Sequence, residues 1–307
     1  MTAYMDHKDL ANERITAERT KEIAGSVRRV MDAVAEAERS SKRPAGSVRL
    51  EAATKTRDVG EIMAAIDAGI GLIGENRPQE VAVKAAGLRR QCAERGLAIG
   101  RADGGGSSAG TGVSAAESSA VADTAGTAGV RQSNDRQSPA GARAAGHVDF
   151  HLIGQLQPNK IGKVLPVVDT IESVGSLALA EKISRRAVAR GLTVGVLLEV
   201  NESGEAAKSG CNPKNAIDIA RRIGIMGGLH LRGLMTIGAH VDDEIVIRRG
   251  FEHLRRLRDQ LLESQDPGTA DCRELSMGMT ADMAYAIAEG STIVRVGTGI
   301  FGQRAFI

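Results

Sequence analysis

Apolar residues alternate along the chain between short, nearly unbroken runs and longer stretches where they recur every three or four positions. The stretch 10–39 is charged but carries Ile15, Ile23, Val27, Val30, Met31 and Val34 near helical spacing, which predicts a long leading helix stopped by Pro44-Ala45-Gly46. Arg49-Leu50-Glu51-Ala52-Ala53 then reads as a strand that delivers Thr54-Lys55-Thr56 to its tip. Asp58 is placed to cap a helix burying Ile62 and Ile66, and Gly69 ends it before a second apolar run, Ile70-Gly71-Leu72-Ile73. That run leads into Gly74-Glu75-Asn76 and a helix over 78–95 with proline in its first turn.

The rhythm breaks at about 101–147, a stretch rich in Gly, Ala, Ser and Thr whose large aliphatics are Val113, Val121 and Val130. Such a stretch buries too little apolar surface to offset the entropy of ordering it, so a disordered insertion is expected. Beyond it the pattern resumes unchanged. Strands are predicted over 149–154, 167–171, 193–200, 229–237, 273–276 and 292–296, with helices over 155–164, 174–190, 213–225, 242–263 and 280–289. With the two before the insertion these make eight strands, the number that closes a (β/α)8 TIM barrel. Without the insertion the chain is close to the roughly 250 residues typical of such barrels. One barrel domain over 1–307 is expected, a doubly wound open sheet being the alternative.

Composition narrows the function classes. Lys plus Arg (40) nearly balances Asp plus Glu (38), and Trp is absent beside two Tyr and four Phe, so neither a polyanion-binding face nor a base-stacking surface is expected. Cys92, Cys211 and Cys272 are far apart with no CxxC pair, which argues against a disulfide framework and a zinc site. Residues 1–19 mix acids and bases, and no run reaches membrane-spanning length; a soluble, cytoplasmic protein is expected.

In a barrel the chemistry sits at the carboxyl ends of the strands. Those ends carry Lys55, Asn76, His151 with Gly154, Glu172 with Ser173, Asn201, Met235 with Thr236, residues 276–280, and 297–302. Closure places the last strand beside the first, which brings Gly297-Thr298-Gly299 next to Lys55. Residues 297–302 match GxGxxG, but no full helix, following strand or ribose-binding acid succeeds them, so dinucleotide binding is rejected. What remains is a glycine turn whose backbone N–H groups can approach a phosphate, with Ser276, Gly278 and Thr280 supplying the facing half of the cup. A lysine at a strand tip is most often a solvated head on an apolar stem; here a cup converges on it. His147 and His151 have HxxxH spacing but do not share a helix, so a metal site is not expected, and His151 reads as a core or rim histidine. The loop with Asn201, Glu205 and Lys208-Ser209-Gly210 reads as structural or as a lid.

Thr54-Lys55-Thr56, Gly74-Glu75-Asn76 with Gln79-Glu80, and His151-Leu152-Ile153-Gly154 followed by Leu156-Gln157-Pro158-Asn159-Lys160 form the first half of an ordered motif set. Lys208-Ser209-Gly210, Arg232-Gly233-Leu234-Met235-Thr236-Ile237, Ser276-Met277-Gly278-Met279-Thr280-Ala281-Asp282 and Arg295-Val296-Gly297-Thr298 through Phe301-Gly302 complete it. From about Arg49 to Arg304 the chain resembles the pyridoxal phosphate homeostasis protein family. The resemblance implies a fold-type III barrel like that of alanine racemase, with Lys55 as the Schiff-base lysine for pyridoxal 5'-phosphate. It implies that Ser276, Thr280, Gly297 and Thr298 hold the phosphate, that Asn76 and Met235 line the pocket, and that Arg295 lies near the pyridine nitrogen. Thr280 stands where the family commonly has serine, and the insertion departs from the family pattern. The implied role is storing, delivering or buffering the cofactor without robust catalysis. Apoenzymes that depend on the cofactor are candidate recipients, a monomer is expected, and a weak amino-acid racemase is the alternative. With the sequence ending shortly after Gly302, the additional domain that racemases of this kind use is not expected.

Overall fold

A computed structural model describes residues 9–101, 146–203, 209–239 and 241–303. The leading helix α1 (Ala17–Ser40) is capped by Thr16, whose side chain accepts from the Arg19 amide, and it buries Ile23, Val27, Val30 and Val34 along one face. It starts later than its periodicity suggests because the preceding backbone is used elsewhere. The carbonyls of Leu10 and Asn12 accept from the amides of Val59 (3.2 Å) and Gly60 (2.9 Å), which are orphan donors in the first turn of the next helix.

The chain then runs β1 (Arg49–Ala53), α2 (Val59–Asp67), β2 (Leu72–Glu75), α3 (Pro78–Glu94), β3 (Ala98–Ile99) and β4 (His147–Leu152). It continues through α4 (Ile161–Val164), β5 (Thr170–Val174), α5 (Leu177–Val188), β6 (Val194–Glu199), α6 (Ala216–Gly224), β7 (Leu229–Met235) and α7 (Glu244–Ser264). It finishes with β8 (Glu274–Met279), α8 (Met283–Ala288), β9 (Ile293–Val296) and α9 (Thr298–Phe301). β1, β2, β4, β5, β6, β7, β8 and β9 pair in parallel in that order, and β9 pairs back with β1, setting Glu51 opposite Arg295. This is the closed eight-stranded barrel that the sequence pattern predicts.

Two details differ from the pattern. The short strand β3 was not expected; it pairs with His147 and Val148, just before β4 meets β2 at Asp149. The strand expected over 167–171 begins at Thr170, because the amides of Val167 and Val168 turn back to the Val164 carbonyl and finish α4. The small-residue stretch expected to be disordered falls almost entirely at 102–145, outside the described residues. Its flanks are anchored near the start of β4: the Ala98 amide donates to the Gly146 carbonyl at 2.7 Å, and the Arg101 amide to Val167 at 2.9 Å. That end of the barrel is opposite Lys55.

One continuous apolar layer, including Ile73, Val81, Leu88, Phe150, Val196, Leu198, Phe251 and Leu254, fills the space between strands and helices. Among the described residues no helix is long and apolar enough to cross a membrane. α2 carries a reciprocal cap, with the Asp58 carboxylate accepting from the Glu61 amide (2.9 Å) and Glu61 reaching back to the Asp58 amide. Asp58→Ala is expected to cost about 1 kcal/mol, read as a lower urea midpoint with an unchanged slope.

The barrel interior departs from the branched aliphatic filling usual in such folds. Near the amino-terminal mouth, Arg49 on β1 reaches across to Asp149 on β4 and lies 3.7 Å from Glu274 on β8. Arg232 on β7 bonds Glu274 at 2.7 Å and Thr170 at 3.2 Å. A second polar layer above it holds Glu51, His151, Glu172, Ser276 and Arg295, all buried. Strand alternation explains both layers, since Arg49 and Glu51, Asp149 and His151, Thr170 and Glu172, and Glu274 and Ser276 are each two residues apart.

Candidate functional site

The carboxyl end of β1 breaks into a turn closed by the Arg57 amide on the Thr54 carbonyl at 3.0 Å, with half-buried Lys55 as its first central residue. Thr56 takes a left-handed φ of +65°, unusual for a β-branched residue, so the turn is held by its surroundings rather than by local preference. The Thr54 hydroxyl donates to Glu75 (3.1 Å), and the Thr56 amide donates to Glu80 (2.8 Å). Both carboxylates are fully buried, and both accept from the equally buried Lys84 ammonium, at 2.6 Å from Glu75 and 2.8 Å from Glu80. The third Lys84 donor goes to the Thr54 carbonyl at 2.9 Å. Burial pushes the Glu75 carboxyl up, against the pull of the Lys84 charge. The other Glu75 oxygen accepts from the Asn76 amide at 2.7 Å, so one carboxylate fixes both strand tips.

The remaining rim follows from closure. At Gly297 a Cβ would lie 3.4 Å from the Cβ and carbonyl oxygen of Ala53, which places the glycine turn against the last residue of β1. Arg57, within the lysine turn, donates to the Gly302 carbonyl at 2.8 Å and lies over the Phe301 ring at 5.5 Å. Arg19 from α1 ties the same segment down through the Phe301 carbonyl (2.7 Å) and Glu61. Gly297 is half-buried and Thr298 exposed, and the exposed Thr280 lies beside this turn, its methyl 3.4 Å from the Cβ position of Gly299. Lys55, Asn76, Thr280, Gly297 and Thr298 thus share one end of the barrel, on neighbouring strands β8, β9, β1 and β2.

Other expected residues sit deeper. Ser276 is fully buried, donates to Glu172 at 2.5 Å and accepts from Arg295 at 2.6 Å, so its hydroxyl is engaged inside the barrel rather than at the rim. Arg295 also donates to the Thr236 carbonyl at 2.8 Å. Register sets Met235 beside Ser276, on the same inward side and equally buried. Gly278 is explained by packing: at φ +93°, a Cβ would meet Ala286 at 2.5 Å and Met283 at 3.2 Å on α8. His151 is a core histidine whose Nδ1 bonds Glu172 at 2.6 Å. Burial alone would push Glu172 up, but the bond to His151 and the nearby Arg295 and Ser276 outweigh it and hold the carboxyl low. Glu205 and Lys208 of the suggested lid lie outside the described residues, while Ser209 bonds the buried Glu199 at 2.5 Å.

Sequence reasoning missed Lys84, although a signal was present: Lys84 lies on the α3 face of Val81 and Leu88, four residues after Glu80. The three cysteines are free and buried, with burial raising Cys92 to about 11 and Cys211 and Cys272 to about 12. They are protonated at neutral pH and unsuited to nucleophilic work.

The arrangement provides an amine on a rigid turn, a neighbouring glycine and hydroxyl rim, and a buried guanidinium below. It also fits an aldehyde-bearing phosphorylated ring in one further respect. The Asn76 side chain leaves its buried carbonyl oxygen without a partner among the described residues, and an amide can present either end to a ligand.

Residues 52–305 match the family model for the alanine racemase N-terminal domain. The pyridoxal phosphate homeostasis protein of Aquifex aeolicus is 36% identical over 159 residues, 52% of this chain and 68% of that protein. The crystal structure of an unknown protein from Bifidobacterium adolescentis is 62% identical, with a TM-score of 0.81, covering 96% of this chain and 100% of that one. PipY of Synechococcus elongatus with PLP bound is 25% identical with a TM-score of 0.59, covering 88% of this chain and 100% of PipY. The family-model match over residues 52–305 and a homeostasis protein 36% identical over 68% of its own length place this chain in the pyridoxal phosphate homeostasis protein family, on the alanine racemase N-terminal fold.

Proposed function

We propose that this chain binds pyridoxal 5'-phosphate at the carboxyl end of its barrel and serves intracellular homeostasis of that cofactor, holding it on Lys55. The observation that carries this reading is the buried Lys84–Glu75–Glu80 network, which fixes a strained turn around one half-buried lysine beside the glycine rim. When bound, the cofactor supplies an aldehyde open to attack by an amine and a ring that withdraws electrons best when its nitrogen is protonated.

Lys55 supplies the amine. Thr280, Gly297 and Thr298 supply hydroxyls and backbone N–H groups for the phosphate, and Asn76 and Met235 border the ring. Ser276 and the Thr236 carbonyl orient Arg295. A guanidinium keeps its proton, so Arg295 facing the ring nitrogen can donate a hydrogen bond but not a proton. An unprotonated ring is a poor electron sink, which supports storage or delivery in the cytoplasm over turnover.

Purified protein incubated with the cofactor is expected to gain a visible absorbance band, and borohydride reduction should leave an adduct that maps to Lys55. A colourless protein, or an adduct on another lysine, would overturn this reading. Racemisation is expected to stay at the level of a Lys55→Ala control. Transfer of labelled cofactor to a purified apoenzyme faster than through free solution marks delivery, and equal rates mark buffering.

A further inference from the structure

The polar layer inside the barrel contains an imbalance that the cofactor site does not use. Glu51, His151 and Glu172 are fully buried, and one ligand atom from each lies within 4.8 Å of the others. Neither Glu51 oxygen has a hydrogen-bond partner among the described residues, and His151 Nε2 has none. A buried carboxylate left this way is costly unless something neutralises it. The surrounding charges do not. Across the two interior layers the carboxylates are Glu51, Asp149, Glu172, Glu274 and, in register with Met235, Glu199, against the guanidiniums of Arg49, Arg232 and Arg295; Glu199 accepts from Ser209. Arg49 and Arg232 are engaged with Asp149 and Glu274, and Arg295 reaches Glu172 through Ser276. Glu51 is the carboxylate in this set with neither oxygen hydrogen-bonded among the described residues, His151 Nδ1 standing 3.6 Å from it.

Glu51 also has space made for it. At Gly74, its neighbour on β2, a Cβ would come within 2.5 Å of Glu51 Oε1, so any larger residue would displace the carboxylate.

We propose that Glu51, His151 and Glu172 bind one divalent transition-metal cation of the zinc class inside the barrel. Two carboxylates and one imidazole form a donor set suited to such ions. Two donors about 2.1 Å from a tetrahedral ion stand about 3.4 Å apart. His151 Nδ1 and Glu51 Oε1 are already 3.6 Å apart. Nδ1 and Glu172 Oε1, at 2.6 Å, share a proton that the ion replaces, and the pair opens by less than 1 Å. Glu172 Oε2 stays bonded to Ser276, the outer contact that orients a ligating carboxylate. The competing occupant is a proton, on Glu51 or on His151. The site is independent of whether the rim holds pyridoxal phosphate.

The test uses the full chain, stripped with a chelator, loaded with zinc ions and desalted, with cobalt(II) as a spectroscopic probe. Elemental analysis is expected to find one zinc per chain, cobalt to give a visible band, and zinc to raise the thermal midpoint by a few degrees. Glu51→Leu is expected to lose the bound metal and the midpoint rise while keeping the far-ultraviolet circular dichroism and the single cooperative melt of the metal-free wild type, which show an intact fold. Glu51→Gln, nearly isosteric, gives the same readout should the leucine variant fold poorly. Metal well below one equivalent in the wild type overturns the proposal and assigns the missing charge to a proton. Uptake that persists in both Glu51 variants overturns it as well. Should that uptake vanish in Asp169→Asn, the ion belongs to the half-exposed His147, Asp149 and Asp169 group at the opposite mouth.

Discussion

Lys84→Met is expected to lower the unfolding free energy by about 3–5 kcal/mol, the range for removing one partner of a buried ion pair. Methionine keeps the aliphatic volume of the stem and removes the ammonium. Glu75 and Glu80 would then face each other as buried carboxylates, and the Thr54 carbonyl would lose its donor. The measurement is the urea midpoint at constant slope. Adding Glu75→Gln and Glu80→Gln should recover much of the loss, since a buried network replaced as a whole costs less than one broken at a single member. The variant should also trap less cofactor on Lys55, because the Thr54 and Thr56 anchors rest on those carboxylates. A loss below about 1 kcal/mol would mean that the network behaves as a solvated pair.

Gly154→Ala is expected to destabilise the protein by about 1–3 kcal/mol and to reduce cofactor retention at least tenfold. The added Cβ would lie 2.1 Å from the Asn76 carbonyl oxygen and 2.7 Å from its Cα, and backbone cannot rotate away as a side chain can. The tips of β2 and β4 must separate, and Asn76 moves with β2. Denaturant melts measure the first effect and equilibrium dialysis against the cofactor the second. A change in stability with unchanged retention would show that Asn76 does not contribute to the pocket.

Several features are legible in the order of residues. Unbroken apolar runs alternating with helical periodicity can be satisfied by a parallel barrel, and closure of that barrel puts Gly297 beside the lysine turn. The Asp58 cap, the proline opening α3 and the apolar stripe of α7 are each local matters of spacing and residue type. The position of Lys55 at the tip of β1 is equally local. It follows from where the run of strand-forming residues ends.

What the chain alone left open is which charges meet. Ser276 on β8 bonds Glu172 on β5 across two intervening strands, and Arg49 on β1 pairs with Asp149 on β4 across one. Such partners depend on the stagger with which eight strands close, a property that no single strand encodes. The same holds for Lys84, whose polar head is buried because strands β1 and β2 and helix α3 bring acceptors around it. Gly278, read as part of a phosphate cup, is accounted for by the close approach of α8. Periodicity and residue type suffice to specify the barrel, the place of Lys55 at the tip of β1 and the strands that carry the rim, whereas the left-handed Thr56 that shapes the lysine turn is imposed by the buried network around it. How the buried charges pair, leaving both Glu51 oxygens without a hydrogen bond among the described residues, is settled only in the folded barrel, because that pairing is set by contacts between residues far apart in the chain.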